Sequence, residues 1–178
     1  MFFFIGVSPV SAENDLDTDA ACEKRILSLI QNAGKTIDAA VYAVNRQPIV
    51  KALIDAAHRG VRIRLLVDRK QQSAYKASRL LFTLLEAGID LRVSGGKGLM
   101  HTKIAIFDQK TVSGGSFNWT NSAVNGNDEI CTFNIDDLKS AEQHQGVFDR
   151  LWQKHSADFS EKWLKRQGRC GNMPFLRT

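Results

Sequence analysis

The sequence predicts an α/β protein, a layered αβα sandwich with a mixed and mostly parallel central sheet. Short apolar stretches with the patterns of strands alternate along the chain with amphipathic helical stretches, the order found in sheets that are covered by helices. A tight turn at Asp108-Gln109, between two apolar runs, adds an antiparallel hairpin and makes the sheet mixed. A length of 178 residues, of which 43% are hydrophobic, suits one globular domain, and we expect a single domain over residues 1–178.

The first predicted strand lies in residues 1–12, where an apolar, β-rich stretch is closed by Ser8-Pro9. A signal peptide is the alternative interpretation, because this stretch ends in small residues. However, it lacks a positively charged beginning, and its apolar part is shorter than the roughly 7–15 residues of an export signal. We therefore favour a strand, and we expect any export signal to have been removed before Met1.

Each later element is bounded by residues that start or stop it. Asp17, Thr18 and Asp19 offer caps to the first helix, Pro48 suits the first turn of the second, and glycines end the helices. The predicted elements are a helix over 19–33, a strand over 36–44, a helix over 45–60, a strand over 61–67, a helix over 71–87, strands over 89–93, 100–107, 111–113 and 129–135, and a helix over 138–154.

The chain carries a net charge of +5, and the basic excess lies at its C-terminal end. Residues 150–178 contain seven basic and two acidic residues, whereas residues 1–34 contain two basic and five acidic ones. A basic end suits a polyanion such as nucleic acid or an anionic lipid surface, although a solvated helix and tail explain it equally well. Within it, residues 158–178 form a basic tail without an assigned role. No apolar run approaches the roughly 18 residues of a membrane-spanning helix, so no transmembrane segment is expected.

Three cysteines, Cys22, Cys131 and Cys170, lie at spacings that indicate neither a disulfide framework nor a zinc site. We expect three inert or buried thiols, in preference to one disulfide and a free thiol. Since no other residues show the spacing of metal ligands, neither a metal nor another cofactor is expected.

The first candidate catalytic residues are a histidine and a lysine. On a predicted strand, His101 and Lys103 are two residues apart and share one face, so an imidazole and an ammonium stand side by side. This pair suits a phosphate, because it supplies a nitrogen nucleophile and a fixed positive charge for the phosphoryl oxygens. Beyond a glycine pair that permits a sharp turn, Ser116 and Asn118 can offer a hydroxyl and an amide to the same anion.

Two acidic residues have candidate supporting roles. Glu129 starts a later strand, where its carboxylate could accept the second imidazole N–H and fix the tautomer; the neighbouring Asp128 is the alternative partner. Asp108 follows an apolar run and precedes a turn, a position where a carboxylate ties backbone N–H groups together. We expect Asp108 to be structural.

Three further positions complete the candidate site. Gly115 allows the backbone to turn and approach closely next to Ser116. The loop around Gly95-Gly96-Lys97-Gly98 lacks the spacing of a P-loop, so it is interpreted as a wall of the site from which Lys97 meets phosphate. Thr120 is a second candidate for substrate binding.

The residues from His101 to Ser116 follow a fixed pattern: histidine, one residue, lysine, four residues, aspartate, six residues, glycine-serine. This pattern resembles the signature of the phospholipase D superfamily, and nearly the whole chain is similar to the small, single-motif bacterial endonucleases of that group. The resemblance implies a phospholipase D-like nuclease fold and catalytic roles for His101, Lys103, Ser116 and Asn118. Further matching segments are Val7-Ser8-Pro9, Lys35-Thr36-Ile37, the run from His58 to Val61, Val67-Asp68, Phe117-Asn118-Trp119-Thr120 and the helix with Phe148 and Trp152.

The chemistry that this resemblance implies is a two-step displacement at phosphorus, which passes through a phosphohistidine and needs two imidazoles. None of His58, His144 and His155 precedes a lysine by two residues, so the chain has one copy of the motif. We expect a homodimer whose two-fold axis brings two copies of His101 into one active site.

Taken together, these features predict a metal-independent phosphodiesterase that acts on the backbone of DNA, RNA or both, with little sequence preference. One alternative is a phospholipase D that cleaves lipid phosphodiesters by the same chemistry. Another is a nucleic-acid-binding module with an inactive site. Because similar small nucleases are often exported, we favour the periplasm or export.

Overall fold

The computed structural model of the protein describes residues 13–72 and 75–170. The predicted strand within residues 1–12 lies outside this part of the chain. Within it, the chain forms the strands β1 (Glu13–Thr18), β2 (Thr36–Val41), β3 (Arg62–Val67), β4 (Asp90–Val93), β5 (Lys103–Phe107), β6 (Thr111–Gly115) and β7 (Ile130–Ile135), and the helices α1 (Asp19–Asn32), α2 (Gln47–His58), α3 (Tyr75–Glu86), α4 (Asn121–Asn125), α5 (Leu138–Lys154) and α6 (Ala157–Cys170).

The strands form one mixed sheet in the order β1-β7-β6-β5-β2-β3-β4. The αβα class and the mixed sheet are therefore confirmed. Five of the strands run in one direction, but parallel pairing is limited to β2-β3 and β3-β4. The other four pairings are antiparallel, because β5 and β7 run against their neighbours, so the sheet is mostly parallel in the direction of its strands but not in their pairing.

The predicted hairpin joins β5 to β6. Both Asp108 and Gln109 adopt positive φ angles, 51° and 56°, and the N–H of Lys110 donates to the carbonyl of Phe107 at 3.1 Å. Such left-handed residues match the twist of the two strands that a tight hairpin connects.

Helices cover both faces of the sheet, which explains why the central strands are apolar on both sides. On one face, α1, α2 and α3 pack in a core that includes Ile30, Leu53 and Leu81. On the other, Phe148 and Trp152 of α5 pack against a smaller set of residues from the central strands, Ala40, Leu66, Ile106 and Val112. No helix in the described ranges is both long and apolar enough to cross a bilayer.

Three elements were not predicted from the sequence. β1 pairs with β7 at the sheet edge, α4 is a short helix after the β6 exit, and α6 occupies much of the expected basic tail. In α6, Leu164 is buried, and the hydroxyl of Ser160 accepts the backbone N–H of Val93 at 3.0 Å. The stretch up to residue 170 is thus a helix that packs against β4, which corrects its interpretation as a tail.

The cysteines differ from expectation, because Cys22 and Cys131 form a disulfide. The bond joins the first half of α1 to β7, across 109 positions of sequence and a Cα–Cα distance of 5.8 Å. Such a pair leaves no local spacing signal, since only the packing of α1 beside β7 brings the two residues together.

Candidate active site

The directions of the strands bring the predicted site residues to one edge of the sheet. β2 and β6 end at this edge, and β5, which lies between them, begins there. The register pairs Val41 with Lys103, and Gly115 at the end of β6 with Cys131 near the start of β7. Residues just after β2 and β6 and just before β5 and β7 therefore lie close together.

His101 lies two residues before β5, not within a strand as expected, and its side chain is exposed. Its ring packs edge-on against Tyr42, with the two centroids 4.6 Å apart. The ammonium of Lys103 donates to the carbonyl oxygen of His101 at 2.9 Å and lies 4.8 Å from the centroid of the Tyr42 ring. Tyr42, which the sequence analysis missed, thus contacts both members of the predicted pair.

Lys103 lies in a partly desolvated position. Burial lowers the pKa of its ammonium below the ordinary lysine value, and the negative charge of Glu129 opposes this shift.

Glu129 is buried, and both of its carboxylate oxygens have partners. Oε2 accepts a short hydrogen bond from the hydroxyl of Ser116, and Oε1 accepts one from the side-chain amide of Asn127 at 2.8 Å. The expected hydrogen bond between Glu129 and the imidazole of His101 is not among the contacts of the described residues. Within one chain, Glu129 holds Ser116 instead of His101.

Ser116 is also fixed by its backbone. Its N–H donates to the carbonyl of Ile130 at 2.9 Å, and its Oγ accepts the N–H of Ile130 at 3.1 Å. Gly115, one residue earlier, has a φ of 129°, and a Cβ at this position would overlap the carbonyl oxygen of Ile130. Gly115 therefore allows a close approach of two backbones, as expected, and these are the backbones of β6 and β7.

The other sequence candidates occupy different places. Asn118 is half-buried, and its Oδ1 is buried without a hydrogen-bond partner among the described residues. Lys97 is exposed in the loop between β4 and β5. Thr120 is buried, and its Oγ1 accepts the N–H of Ala123 at 3.2 Å as the cap of α4. The hydroxyl of Thr120 is therefore used within the fold and does not face a substrate, contrary to the expectation that Thr120 binds substrate.

Asp108 lies at the far end of β5 from Lys103. Its carboxylate accepts backbone N–H groups from Gly34, Lys35 and Thr36 at 2.9, 2.7 and 2.9 Å. Burial raises its pKa, but these three hydrogen bonds outweigh that effect, so the pKa of Asp108 lies below its ordinary value. Asp108 thus joins the α1–β2 connection to the hairpin and does not meet the other candidates.

Asp68 is a further residue that the sequence analysis left without a role. It is buried directly after β3 and accepts the backbone N–H of Met100 at 2.9 Å and the hydroxyl of Ser94 at 3.0 Å. Asp68 thus anchors the segment that leads to His101. A carboxylate at the carboxyl end of a buried parallel strand was the available signal. No group of three or more His, Cys, Asp or Glu side chains arranged for a metal ion occurs among the described residues.

The structure thus brings His101, Lys103, Ser116 and Asn118 to one edge of an αβα sheet, the arrangement that the sequence pattern predicts for a phospholipase D-type site. The family described as "Cardiolipin synthase, PLD-like domain" matches residues 26–152. The chain belongs to the phospholipase D superfamily.

Several relatives support this assignment. The mitochondrial cardiolipin hydrolase of Chlamydomonas reinhardtii is 33% identical, over 72% of this chain and 56% of its own length. A phospholipase D of Rickettsia prowazekii is 37% identical, over 79% of this chain and 67% of its own length. The crystal structure of Nuc from Salmonella typhimurium, a phospholipase D family member, is 26% identical with a TM-score of 0.76, over 81% of this chain and 97% of that one. The chain thus spans only a little over half of the algal protein.

Proposed function

We propose that the protein is a metal-independent phosphodiesterase that cleaves the backbone of nucleic acids without sequence preference. The observation that carries this proposal is an exposed imidazole, His101, held beside the ammonium of Lys103 at the edge where Ser116 lies. These groups supply a nucleophile, a positive charge and a hydroxyl for a phosphate. The basic C-terminal part of the chain and the resemblance to small nucleases favour a nucleic acid as the substrate.

The reaction runs in two displacements. The imidazole of one His101 attacks phosphorus, so that a P–N bond forms and the bond to the leaving oxygen breaks, while a second imidazolium gives its proton to that oxygen. The second imidazole then takes a proton from water, the water oxygen attacks phosphorus, and the P–N bond breaks. Both imidazoles return to their starting protonation.

The second imidazole comes from a second copy of the chain, in a homodimer with one composite site. The other histidines of this chain support that view. His155 is buried, and its Nδ1 accepts the N–H of Gly95 at 3.2 Å, whereas Nδ1 of His144 contacts the carbonyl of Ser140 at 2.8 Å on α5. His58 is the last residue of α2, and it is the first turn of that helix that adjoins the site, so His58 lies at the end of the helix away from the site.

Each other site residue has a role in this scheme. Lys103 and Asn118 bind the phosphoryl oxygens, which gain negative charge as the bond to the leaving group breaks. Ser116 donates to the same oxygens or to Glu129, which orients it. Lys97 meets a phosphate that flanks the scissile bond.

The test compares the wild-type protein with His101→Ala and with His58→Ala, a matched loss of an exposed imidazole outside the site. Each is incubated with plasmid DNA, single-stranded DNA, RNA and cardiolipin vesicles, with and without excess EDTA. We expect the wild-type protein and His58→Ala to cleave nucleic acid equally well with and without EDTA. His101→Ala should lower the rate of cleavage by about a thousandfold or more. Activity that EDTA abolishes and a divalent ion restores would contradict the metal-independent scheme.

A second candidate function is hydrolysis of a lipid phosphodiester. It is favoured by the names of the curated relatives, a cardiolipin hydrolase and a phospholipase D. The same assay decides between the two, since His101-dependent release of phosphatidic acid from vesicles, with no cleavage of nucleic acid, would replace the first proposal by the second.

A further inference from the structure

A groove of about 730 Å³ lies between α2 and α3, outside the residues already assigned to the site. Its floor is apolar and is formed by Val50 and Ile54 of α2 and Leu80 of α3. Its walls carry four carboxamides and two cationic side chains and no carboxylate: Asn45, Gln47, Gln71, Asn121, Lys51 and Arg79.

The groove opens at the same sheet edge as the candidate site. On one side, Nε2 of Gln71 donates to the hydroxyl of Tyr42 at 2.7 Å, and Tyr42 in turn contacts the ring of His101. On the other side, the N–H of Asn121 donates to Oδ1 of Asn45 at 3.0 Å, three residues beyond Asn118. Tyr42 therefore lies between the groove and His101, and a substrate held by its phosphate at His101 can reach the groove past this ring.

We propose that the groove binds the single strand of nucleic acid that flanks the scissile phosphodiester. The proposal rests on the proposed function and specifies its substrate class and its binding surface.

The chemistry of the walls favours a nucleic acid strand over a lipid. A carboxamide offers both a donor and an acceptor, as do the edges of nucleobases, and the apolar floor can lie against base faces. The ammonium of Lys51 pairs with the carboxylate of Asp55 at 2.6 Å, but 75% of the Lys51 side chain is exposed, so the ammonium can also approach a backbone phosphate. An acyl chain in the same groove would cover the cationic side chains of Lys51 and Arg79 and the polar atoms of the walls without offering any of them a hydrogen bond.

The decisive variant narrows the groove without touching His101 or Lys103. Thr83 is exposed on α3 and lines the groove, so Thr83→Trp fills part of it. Gln153→Trp is the matched control, since Gln153 is exposed on α5, across the sheet. Thermal melting of both variants checks that they fold.

Hydrolysis is measured with bis(p-nitrophenyl) phosphate, which is too small to fill the groove, and with a single-stranded oligonucleotide of about 12 nucleotides. We expect Thr83→Trp to lower the ratio of kcat/KM for the oligonucleotide to that for the small ester by about tenfold. Gln153→Trp should leave this ratio unchanged. An equal ratio in all three proteins would overturn the groove as a binding surface.

Binding separates this inference from the proposed function. In the His101→Ala background, anisotropy of a fluorescein-labelled oligonucleotide reports affinity without cleavage, and Lys51→Gln should reduce the slope of log K against log salt by about one. If neither the wild type nor its variants hydrolyse bis(p-nitrophenyl) phosphate or the oligonucleotide, the proposed function fails. The groove is still supported in that case if Thr83→Trp weakens oligonucleotide binding and Gln153→Trp does not. If Thr83→Trp instead lowers hydrolysis of cardiolipin vesicles and leaves oligonucleotide binding intact, the groove holds acyl chains and our inference is wrong.

Discussion

Lys103 occupies a position where charge and burial oppose each other. Its ammonium contacts the carbonyl of His101 and the face of Tyr42, and it is partly removed from water. A free lysine loses its proton near pH 10.4. Since burial lowers the pKa of Lys103, the positive charge that the site offers to phosphate is lost at a lower pH than in free lysine.

This shift predicts the alkaline limb of the pH profile. We expect kcat/KM to decrease with rising pH, and this decrease to begin at a lower pH than that at which an ordinary lysine loses its proton. Lys103→Arg should shift the decrease to higher pH, because a guanidinium stays protonated across the range. The measurement is kcat/KM for bis(p-nitrophenyl) phosphate between about pH 6 and 11, with circular dichroism to exclude unfolding. An alkaline limb at the same pH in wild type and Lys103→Arg would show that another group titrates.

The sequence predicts which single residues have functional side chains better than it predicts which residues those side chains contact. His101, Lys103, Ser116 and Asn118 have recognisable functional groups at informative spacings. Within one chain, the carboxylate of Glu129 meets Ser116 and Asn127, because the conformation of the segment from Asn127 to Ile130 places it there, and no spacing in the sequence records that conformation. Asp68 had a signal in its position at the end of a buried strand, but its partners Ser94 and Met100 lie in a loop at another strand end, and no local pattern records such contacts. The same holds for the contacts of Tyr42 with His101 and Gln71.

At the scale of elements, the disulfide between Cys22 and Cys131 fastens α1 to the strand that borders the site. Cys131 lies opposite Gly115, next to Ile130, which bonds Ser116 through both its N–H and its carbonyl. A second link lies one turn away, where the carboxylate of Asp19 accepts the N–H of Glu129 at 2.8 Å. The disulfide therefore holds the β7 side of the site as well as the fold.

Removal of this crosslink should lower stability. A disulfide that closes a long loop contributes typically 2–4 kcal/mol, which for a chain of this size corresponds to a fall in Tm of about 10 °C. We expect this fall in the double variant Cys22→Ser/Cys131→Ser and in dithiothreitol-treated wild type, measured by thermal melting. Cys170→Ser is the matched control and should melt like the wild type. Equal melting temperatures of the double variant and the wild type would exclude a stabilising role.

The elements themselves were predicted where burial leaves a pattern. β2 and β3 are buried runs, and α2 has a proline in its first turn and a buried apolar stripe. β1 was missed because its sequence, Glu-Asn-Asp-Leu-Asp-Thr, is polar; at the sheet edge, Asp15 and Asp17 pair with Arg25 of α1 instead of entering a core. Such a strand is recognisable only from its partner β7.

At the scale of the whole molecule, the antiparallel insertion of β5 gives the site its form. Because β5 begins where β2 and β6 end, His101 and Lys103 meet Tyr42 and Ser116 at one edge, while Asp108 is carried to the other. The sequence could predict that the sheet is mixed, from the turn at Asp108-Gln109. It could not predict which neighbours the hairpin would have, since strand order depends on long-range pairing.

The exposure of His101 at this edge leads to a prediction about assembly. If two imidazoles from separate copies share one phosphorus, a dimer with a single His101 lacks either the nucleophile or the acid. Wild-type and His101→Ala chains with different affinity tags, co-expressed and purified through both tags, should form a heterodimer whose activity falls by about 10²–10⁴-fold. A wild-type pair carrying the two tags, prepared in the same way, is the control. Two independent sites would instead leave about half of the activity, and a failure to recover any protein through both tags would contradict the homodimer itself.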